Sequence, residues 1–223
     1  MDMQLPRYLY HLAEADNWPS IERHGLLSTR ALLERAGLHG AERERFEDQW
    51  RPGRVALPDG AVVRDQKPMP PAALERCLRG VTPAAWYALL NERVFFWLDS
   101  ERLNRMRRAY VELPQVVLTI DAERLLARHA GRVTLTPINT GNARRSPAPR
   151  GPHTFVPYAM WLQSGWASET EALSTRPRPR GHPPVELTVA DSVPDVLEFV
   201  TDVCQLEPGE LFYATEADAG AAS

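Results

Sequence analysis

The stretch Tyr8–Thr29, YLYHLAEADNWPSIERHGLLST, constrains the fold more than any other part of this sequence. It opens with alternating aromatic and apolar side chains, which is typical of a half-buried β-strand. Asp16 and Asn17 then offer oxygens that can cap a helix, and Pro19 fits the first turn, where a missing N–H costs little. Gly25 supplies the positive φ that ends such a helix. The stretch therefore predicts a strand, a short capped helix and a glycine stop.

Short strands and helices alternate through the rest of the chain. Predicted strands are Arg93–Leu98, Gln115–Ile120, Arg132–Ile138, Thr154–Met160 and Val185–Val189, with a hairpin at Val55–Leu57 and Ala61–Arg64. Predicted helices are Arg30–Gly37, Ala41–Trp50, Pro71–Arg79, Thr82–Asn91, Ser100–Arg108 and Asp121 to about His129, followed by a helix start at Pro194 and an amphipathic segment Val196–Cys204. No GxGxxG or GxxxxGK[ST] loop occurs, which argues against Rossmann and P-loop folds. The pattern predicts an α+β domain with a largely antiparallel sheet, either continuous or split.

The 223 residues suit one domain, which we place at residues 1–206, followed by an acidic tail at 207–223. The tail holds four acidic residues and no basic one, and we expect its end, Ala214–Ser223, to be disordered. Lys67 is the only lysine, so 25 of the 26 basic residues are arginine, as in proteins from GC-rich genomes. Positive charge is concentrated locally, because Thr140–His182 holds six arginines against two glutamates.

Neither a membrane span nor a metal site is indicated. No apolar run approaches the ~18 residues of a span, and the N-terminal residues lack a signal-peptide core, so we expect a cytosolic protein. Cys77 and Cys204 are the only cysteines and stand far apart in the sequence. The histidines show no metal-ligand spacing. We therefore expect neither a disulfide framework nor a metal centre.

The opening stretch resembles the start of the DarT-like branch of the ADP-ribosyltransferase superfamily, which carries a "Tyr-His-(Ile/Leu)-Thr … Leu-x-x-Ile-x-x-x-Gly-Leu" pattern. The matching residues are Tyr10, His11, Leu12, Trp18, Ile21, Gly25, Leu26, Leu27 and Ser28. Ala13 stands where the family often has Thr. A later stretch resembles the family's strand with the catalytic glutamate, through Val185, Glu186, Leu187, Val189, Val193 and Pro194. Between them, RVFFWLDSERLNRM and the turn Asn139–Ala143 are similar to further family motifs, in family order.

The resemblance implies an ADP-ribosyltransferase-like split sheet with peripheral short helices, and NAD as the substrate without a metal. It implies that Glu186 is catalytic. It implies NAD contacts from His11, Ser28, Arg64, Phe96, Trp97 and Asn142. The residues alone leave alternatives open, because Glu186 also fits a solvated strand-edge glutamate and His11 a hydrogen-bonded histidine at a strand end.

The acceptor of ADP-ribose is a separate prediction. In this superfamily the loop before the catalytic glutamate selects the acceptor. That loop holds Trp166, Arg176, Arg178 and Arg180 here, and arginines beside an aromatic suit single-stranded DNA or RNA. Pro184 stands two residues before Glu186, where protein-modifying relatives carry Glu or Gln. A proline-rich solvated linker is the alternative interpretation of the loop.

Three activities fit the resemblance. The first is a mono-ADP-ribosyltransferase that modifies a base in single-stranded nucleic acid, of the toxin–antitoxin kind. An antitoxin or ADP-ribose hydrolase encoded elsewhere would then be a partner. The second is an NAD glycohydrolase, and the third is a binding module that keeps the fold without catalysis. Binding and cleavage of NAD distinguish them.

Overall fold

A seven-stranded antiparallel sheet organises the computed structural model of the chain, which describes residues 4–144 and 147–214. The strands are β1 (Tyr8–Glu14), β2 (Val55–Ala56), β3 (Val62–Val63), β4 (Arg93–Trp97), β5 (Gln115–Asp121), β6 (Val133–Thr136), β7 (Val156–Pro157), β8 (Glu186–Ala190) and β9 (Val200–Leu206). The helices are α1 (Trp18–His24), α2 (Thr29–Arg35), α3 (Gly40–Glu47), α4 (Pro71–Cys77), α5 (Pro83–Asn91), α6 (Ser100–Ala109), α7 (Ala122–His129), α8 (Tyr158–Ser164) and α9 (Ala167–Leu173). The predicted α+β class is confirmed.

The main sheet divides between β4 and β1. Its order is β7-β6-β8-β4-β1-β5-β9, and β2 and β3 form a separate hairpin. The register of β1 with β5 contains seven residue pairs and that of β4 with β8 contains five, whereas β1 and β4 share one pair, Tyr10 with Trp97. The two halves of the sheet therefore separate on either side of this pair, which confirms the split sheet and opens a cleft.

The opening stretch forms the predicted unit with one difference. Strand β1 runs on to Glu14, a turn of 3-10 helix leads into α1, and Gly25 ends α1 with a φ of 69°. A Cβ on Gly25 would lie 2.4 Å from the carbonyl oxygen of Pro194, so only glycine fits this backbone crossing. Asn17 does not cap α1. Its side chain instead pairs with both backbone groups of Val62, at 2.7 and 2.9 Å, and attaches the β2–β3 hairpin to the sheet.

Both faces of the sheet are covered. One face packs into the largest apolar core, to which β1, β4, β5, β6 and β8 all contribute. Tyr10 and Leu12 on the opposite face pack under α6, together with Leu103 and Phe212. A further apolar cluster joins α4 and α5. The cleft thus lies in a rigid setting, between covered halves of one sheet.

Two predicted segments differ from the structure. The predicted strand Thr154–Met160 is mostly helical, because only β7 pairs with β6 and α8 follows at once. Neither α8 nor α9 was predicted as a helix. Both helices have seven residues, and Gly165, with a φ of 61°, separates them within a segment whose many prolines and turn-forming residues predicted a loop. The predicted amphipathic segment Val196–Cys204 is a 3-10 turn that leads into β9, an edge strand paired with β5.

The segment 207–214 packs on the domain, although the domain was predicted to end at residue 206. Phe212 is 3% exposed. The fully buried Arg107 donates hydrogen bonds to the carbonyl oxygens of Glu207 at 2.7 Å and Glu210 at 2.9 Å, so a buried guanidinium holds this segment. The predicted disordered end of the tail, from residue 215, lies outside the described residues. Across those described, no helix combines the length and the apolar character needed to cross a bilayer.

Candidate active site

The split in the sheet opens onto a cavity of about 690 Å³, within the ~300–1,000 Å³ range of small-molecule sites. Its wall is formed by β1, β4 and the start of β8, by α6, and by the loops 64–69 and 139–144. Six of the predicted site residues line it, namely His11, Arg64, Phe96, Trp97, Asn142 and Glu186. The fold therefore brings together residues from both ends of the sequence.

Glu186 is the buried carboxylate of this cavity. It begins β8, where its neighbours across the sheet are Trp97 and Thr136, and it is 4% exposed. Its Oε2 accepts hydrogen bonds from the Thr140 hydroxyl at 2.8 Å and the Thr140 N–H at 3.1 Å, and lies 3.0 Å from the Thr136 hydroxyl. Among the described residues, its Oε1 accepts only the Thr140 N–H, at 3.3 Å. Oε2 is thus held by the protein, and Oε1 keeps lone pairs for a ligand hydroxyl.

Burial raises the pKa of Glu186 to about 7, while the hydrogen bonds from Thr140 and Thr136 and the charge of Arg150 act in the opposite direction. Arg150 is 2% exposed and donates hydrogen bonds to the carbonyl oxygens of Asn139 at 3.3 Å and Thr140 at 3.0 Å. It therefore fixes the turn whose amide and hydroxyl hold the carboxylate. The sequence analysis did not identify Thr136, Thr140 or Arg150.

His11 lies on β1 at the split, where its ring orientation is fixed. Its Nδ1 is 2.8 Å from the carbonyl oxygen of Phe95 on the other half of the sheet. A carbonyl only accepts, so Nδ1 carries the proton and Nε2 of the neutral ring is an acceptor. Burial, helped by the positive charge of Arg64 and opposed by the hydrogen bond to the Phe95 carbonyl oxygen, lowers the pKa of His11 to about 4. At neutral pH the cavity therefore presents a neutral imidazole.

Arg64 supplies positive charge without an ion pair of its own. Its guanidinium contacts the Met106 Sδ at 3.5 Å and the Leu12 carbonyl oxygen at 3.4 Å, and lies 5.1 Å from the centroid of the Tyr110 ring. Of the two carboxylates whose charges act on it, Asp65 accepts from the Tyr110 hydroxyl at 3.0 Å and Glu14 lies beside Arg54. Burial lowers the pKa of Arg64, yet a guanidinium keeps its charge. Its two protein contacts are long, which leaves it available to an anion.

The aromatic residues of β4 point to opposite faces of the sheet. The Phe96 ring is 1% exposed in the main core and meets the His11 ring edge-on, with 5.8 Å between centroids. It supports His11 and lines the cavity, so its contact with NAD stays a prediction. Phe95 and Trp97 are half-buried on the opposite face, and Trp97 stands directly across from Glu186. Both rings also line the cavity.

Two further predicted NAD contacts have other surroundings. Ser28 is 3% exposed and caps α2, because its hydroxyl accepts from the Ala31 N–H at 3.2 Å. It does not line the cavity, since its hydroxyl is required by the helix. Asn142 lies at the exposed rim, where its Oδ1 accepts from the Arg144 N–H at 2.9 Å.

The predicted acceptor loop lies outside this cavity, beside a smaller one of about 370 Å³. Arg178 donates to both oxygens of Glu169, at 3.1 and 3.2 Å, and Glu169 is fully buried. Trp166 is 2% exposed and its Nε1 donates to the His182 carbonyl oxygen at 2.8 Å. Arg178 and Trp166 therefore hold the loop in place, contrary to the acceptor-binding role predicted for them, while Arg176 and Arg180 are exposed.

The described residues contain no group of three or more His, Cys, Asp or Glu side chains placed to hold a metal ion. Among the groups that line the cavity are the buried carboxylate of Glu186, the neutral imidazole of His11, the guanidinium of Arg64 and the half-buried indole of Trp97. This set can bind a hydroxylated, anionic ligand with an aromatic part and can stabilise positive charge beside Glu186.

Three comparisons with known proteins were made. The model of DUF7002, a family of unknown function, matches residues 7–200. No curated protein sequence matches the chain. Among solved structures, the chain is similar to Thermus sp. 2.9 DarT in complex with NAD+, at 15% identity over 89% of this chain and 81% of that chain, with a TM-score of 0.41.

Two other solved structures are similar. Thermosipho africanus DarTG in complex with ADP-ribose is 12% identical, over 88% of this chain and 43% of that chain, with a TM-score of 0.43. Thermus sp. 2.9 DarT in complex with ADP-ribosylated ssDNA is 14% identical, over 87% of this chain and 80% of that chain, with a TM-score of 0.39.

Proposed function

The chain belongs to the DUF7002 family of unknown function, and from that premise we propose that it is an NAD-dependent mono-ADP-ribosyltransferase. The observation that supports this most is the placement of Glu186 in the cavity. A carboxylate held through Oε2 and free at Oε1 shares that cavity with His11, Arg64 and Trp97. These are the groups to which the sequence resemblance assigns NAD binding and catalysis.

The proposed chemistry begins with cleavage of the bond between nicotinamide and ribose, which passes through an oxocarbenium-like cation. Nicotinamide departs as a neutral molecule and needs no proton, so a second carboxylic acid is unnecessary. Oε1 of Glu186 accepts a hydrogen bond from a ribose hydroxyl and stabilises the cation more than the ground state. With a pKa of about 7, Glu186 is ionised in a large fraction of molecules at neutral pH.

The other cavity residues bind and orient NAD in this proposal. The His11 Nε2 accepts from a ribose hydroxyl, since Nδ1 is committed to the Phe95 carbonyl oxygen. Arg64 lies beside the diphosphate, because its charge has no carboxylate partner and its hydrogen bonds to the protein are long. Trp97 stacks on the nicotinamide ring.

We propose a base of single-stranded nucleic acid as the acceptor. Exposed Arg176 and Arg180 support this, as do Arg105 and Arg144 at the rim of the cavity. Hydrolysis of NAD by water is the second candidate. It is favoured by the commitment of Arg178 to Glu169, which removes one cation from the presumed acceptor surface.

The test of the enzyme assignment is nicotinamide release from NAD by the purified chain. Replacement Glu186→Gln should lower the rate by about 10²–10³-fold, the usual loss when one stabiliser of a developing charge is removed. Asp195→Asn is the matched control. It also removes a carboxylate charge at nearly constant volume, but Asp195 bonds His129 at 2.9 Å and does not line the cavity. Equal rates for the wild type and Glu186→Gln would overturn the proposal.

Transfer and hydrolysis are separated by mass spectrometry of single-stranded oligonucleotides after incubation with the chain and NAD. A mass gain of one ADP-ribose that depends on Glu186 supports transfer to nucleic acid. Free ADP-ribose with unmodified oligonucleotides supports the glycohydrolase.

A further inference from the structure

A second carboxylate, Glu14, lies in the same cavity as Glu186 and is not explained by the proposed catalysis. It ends β1, lines the cavity and is 4% exposed. Its Oε2 is buried without a hydrogen-bond partner among the described residues. Arg54 Nη2 lies 2.7 Å from that oxygen, but not in the geometry of a hydrogen bond, and the same nitrogen donates to Asp16 at 3.1 Å. This buried oxygen thus has an ion-pair partner but accepts no hydrogen bond from the described residues, which leaves an acceptor for a ligand hydroxyl.

The Cα atoms of Glu14 and Glu186 are separated by a distance on the scale of one dinucleotide. Glu186 is across from Trp97, Trp97 is across from Tyr10, and Glu14 follows Tyr10 by four residues along β1. Two strand spacings of about 4.8 Å and four rises of about 3.3 Å separate their Cα atoms by roughly 16 Å. Eight bonds join the two riboses of an extended dinucleotide, which is about 9 Å at an advance of roughly 1.1 Å per bond, before the width of the rings is added.

The charge between the two carboxylates has the opposite sign. Arg64 donates to the carbonyl oxygen of Leu12, which is the residue midway between Tyr10 and Glu14 on β1. The cavity therefore presents a carboxylate, a guanidinium and a second carboxylate in sequence. A dinucleotide presents a ribose diol, a diphosphate and a second ribose diol in the same sequence.

We propose that Glu14 binds the hydroxyls of the ribose distal to the reacting bond and makes the site select NAD over NADP. The proposal rests on the function proposed above and names the substrate of that same site. A carboxylate accepts hydrogen bonds from both hydroxyls of a diol, and an acidic residue recognises the adenosine ribose of NAD in this manner in dinucleotide-binding folds. A 2′-phosphate at the same position would place up to about two negative charges beside the carboxylate, and it would also remove one donor.

The test is calorimetric titration of NAD and of NADP. It is made in the Glu186→Gln background, so that neither nucleotide is cleaved, with and without Glu14→Gln. With Glu14 present, NAD should bind at least tenfold more tightly than NADP. Glu14→Gln should weaken NAD binding about tenfold or more, the scale of a hydrogen bond to a charged group, and should remove most of the preference. The amide keeps the size of the side chain, so the fold should persist, which thermal unfolding checks.

Arg54→Ala is the matched control, because it removes the charge beside Glu14 without removing the carboxylate. The preference for NAD should survive in it. An unchanged NAD to NADP ratio in Glu14→Gln would overturn the role of Glu14 while leaving the enzyme assignment intact, provided that the wild type cleaves NAD. A loss of preference in Arg54→Ala equal to that in Glu14→Gln would show that Glu14 is only half of a structural ion pair. If neither nucleotide binds to any variant, both proposals fail together.

Discussion

The cavity and the loop before β8 were both predicted to bind ligands through arginine and tryptophan, but these side chains have different surroundings in the two regions. In the cavity, Arg64 makes two long protein contacts and Trp97 is half-buried across from Glu186. In the loop, Arg178 pairs with a fully buried carboxylate and the Trp166 ring is 2% exposed. The same residue types face a ligand space in one region and hold the backbone in the other.

The difference lies in which atoms remain unsatisfied. In the cavity, His11 is held through Nδ1 and Glu186 mainly through Oε2, so Nε2 and Oε1 can still accept hydrogen bonds. In the loop, Arg178 and Glu169 satisfy each other. A half-satisfied buried polar group costs stability, so it persists where a ligand or a reaction uses it. Replacing side chains in each region in turn tests this difference.

Removing Arg178 should have the largest effect on stability. Arg178→Ala leaves the fully buried Glu169 without its partner, and breaking a buried ion pair in this way typically lowers the free energy of unfolding by about 3–5 kcal/mol. Denaturant unfolding measures the loss. The double variant Arg178→Ala with Glu169→Gln should recover part of it, because no unpaired charge remains. Arg64→Ala should cost less stability and weaken NAD binding. If Arg178→Ala is as stable as the wild type, the loop arginine is free and the contrast fails.

Replacing Glu186 should have a smaller effect on stability, and at pH 8 it should raise the free energy of unfolding instead of lowering it. Its pKa rises from 4.5 to about 7 on folding, so the folded state favours the protonated form. The stability from this proton is complete below pH 4.5 and is lost as the pH rises through about 7, a fall of about 3 kcal/mol in the free energy of unfolding. Glu186→Gln cannot ionise. It should therefore be more stable than the wild type at pH 8 and close to it at pH 4.5, as measured by thermal unfolding at both values.

Asp195→Asn serves as the control for this stability measurement, since Asp195 bonds His129 outside the cavity. An equal gain at pH 8 in both variants would mean that general loss of negative charge, and not the burial of Glu186, is responsible.

Local signals in the sequence located most of the fold. Thr82 caps α5 through the Ala85 N–H at 3.2 Å, with Pro83 in the first turn, as predicted. The turn at Pro58–Gly60 joins the predicted hairpin. Such features act within three or four residues. Helices α8 and α9 were missed because they lie in a segment rich in proline and turn-forming residues, and β9 was missed because its pairing with β5 is set by the tertiary structure.

The residues of the candidate site also differ in whether a sequence signal or the tertiary structure identifies them. Glu186 and His11 were predicted from the family resemblance, and both line the cavity. The groups that hold Glu186 depend on the register of β6 with β8 and on the turn after β6, which no local pattern specifies. The turn itself, Asn139–Ala143, was noted for its resemblance, and that was the available signal for Thr140. Arg150 and Glu14 carried no signal, because their partners are distant in the sequence.

The smallest effect is expected from the exposed arginines of the loop. Arg176 and Arg180 are exposed, so replacing both by alanine should leave stability and NAD cleavage without nucleic acid unchanged. If they contact phosphates, each lost contact should lower the slope of log affinity against log salt by about 0.7, or about 1.4 for the pair. Fluorescence anisotropy of a labelled single-stranded oligonucleotide at several salt concentrations measures this slope. Arg23→Ala with Arg124→Ala is the charge-matched control, on exposed positions of α1 and α7. Equal slopes in the two double variants would mean that Arg176 and Arg180 do not contact phosphates. The loop would then only support α9, and water would be favoured as the acceptor.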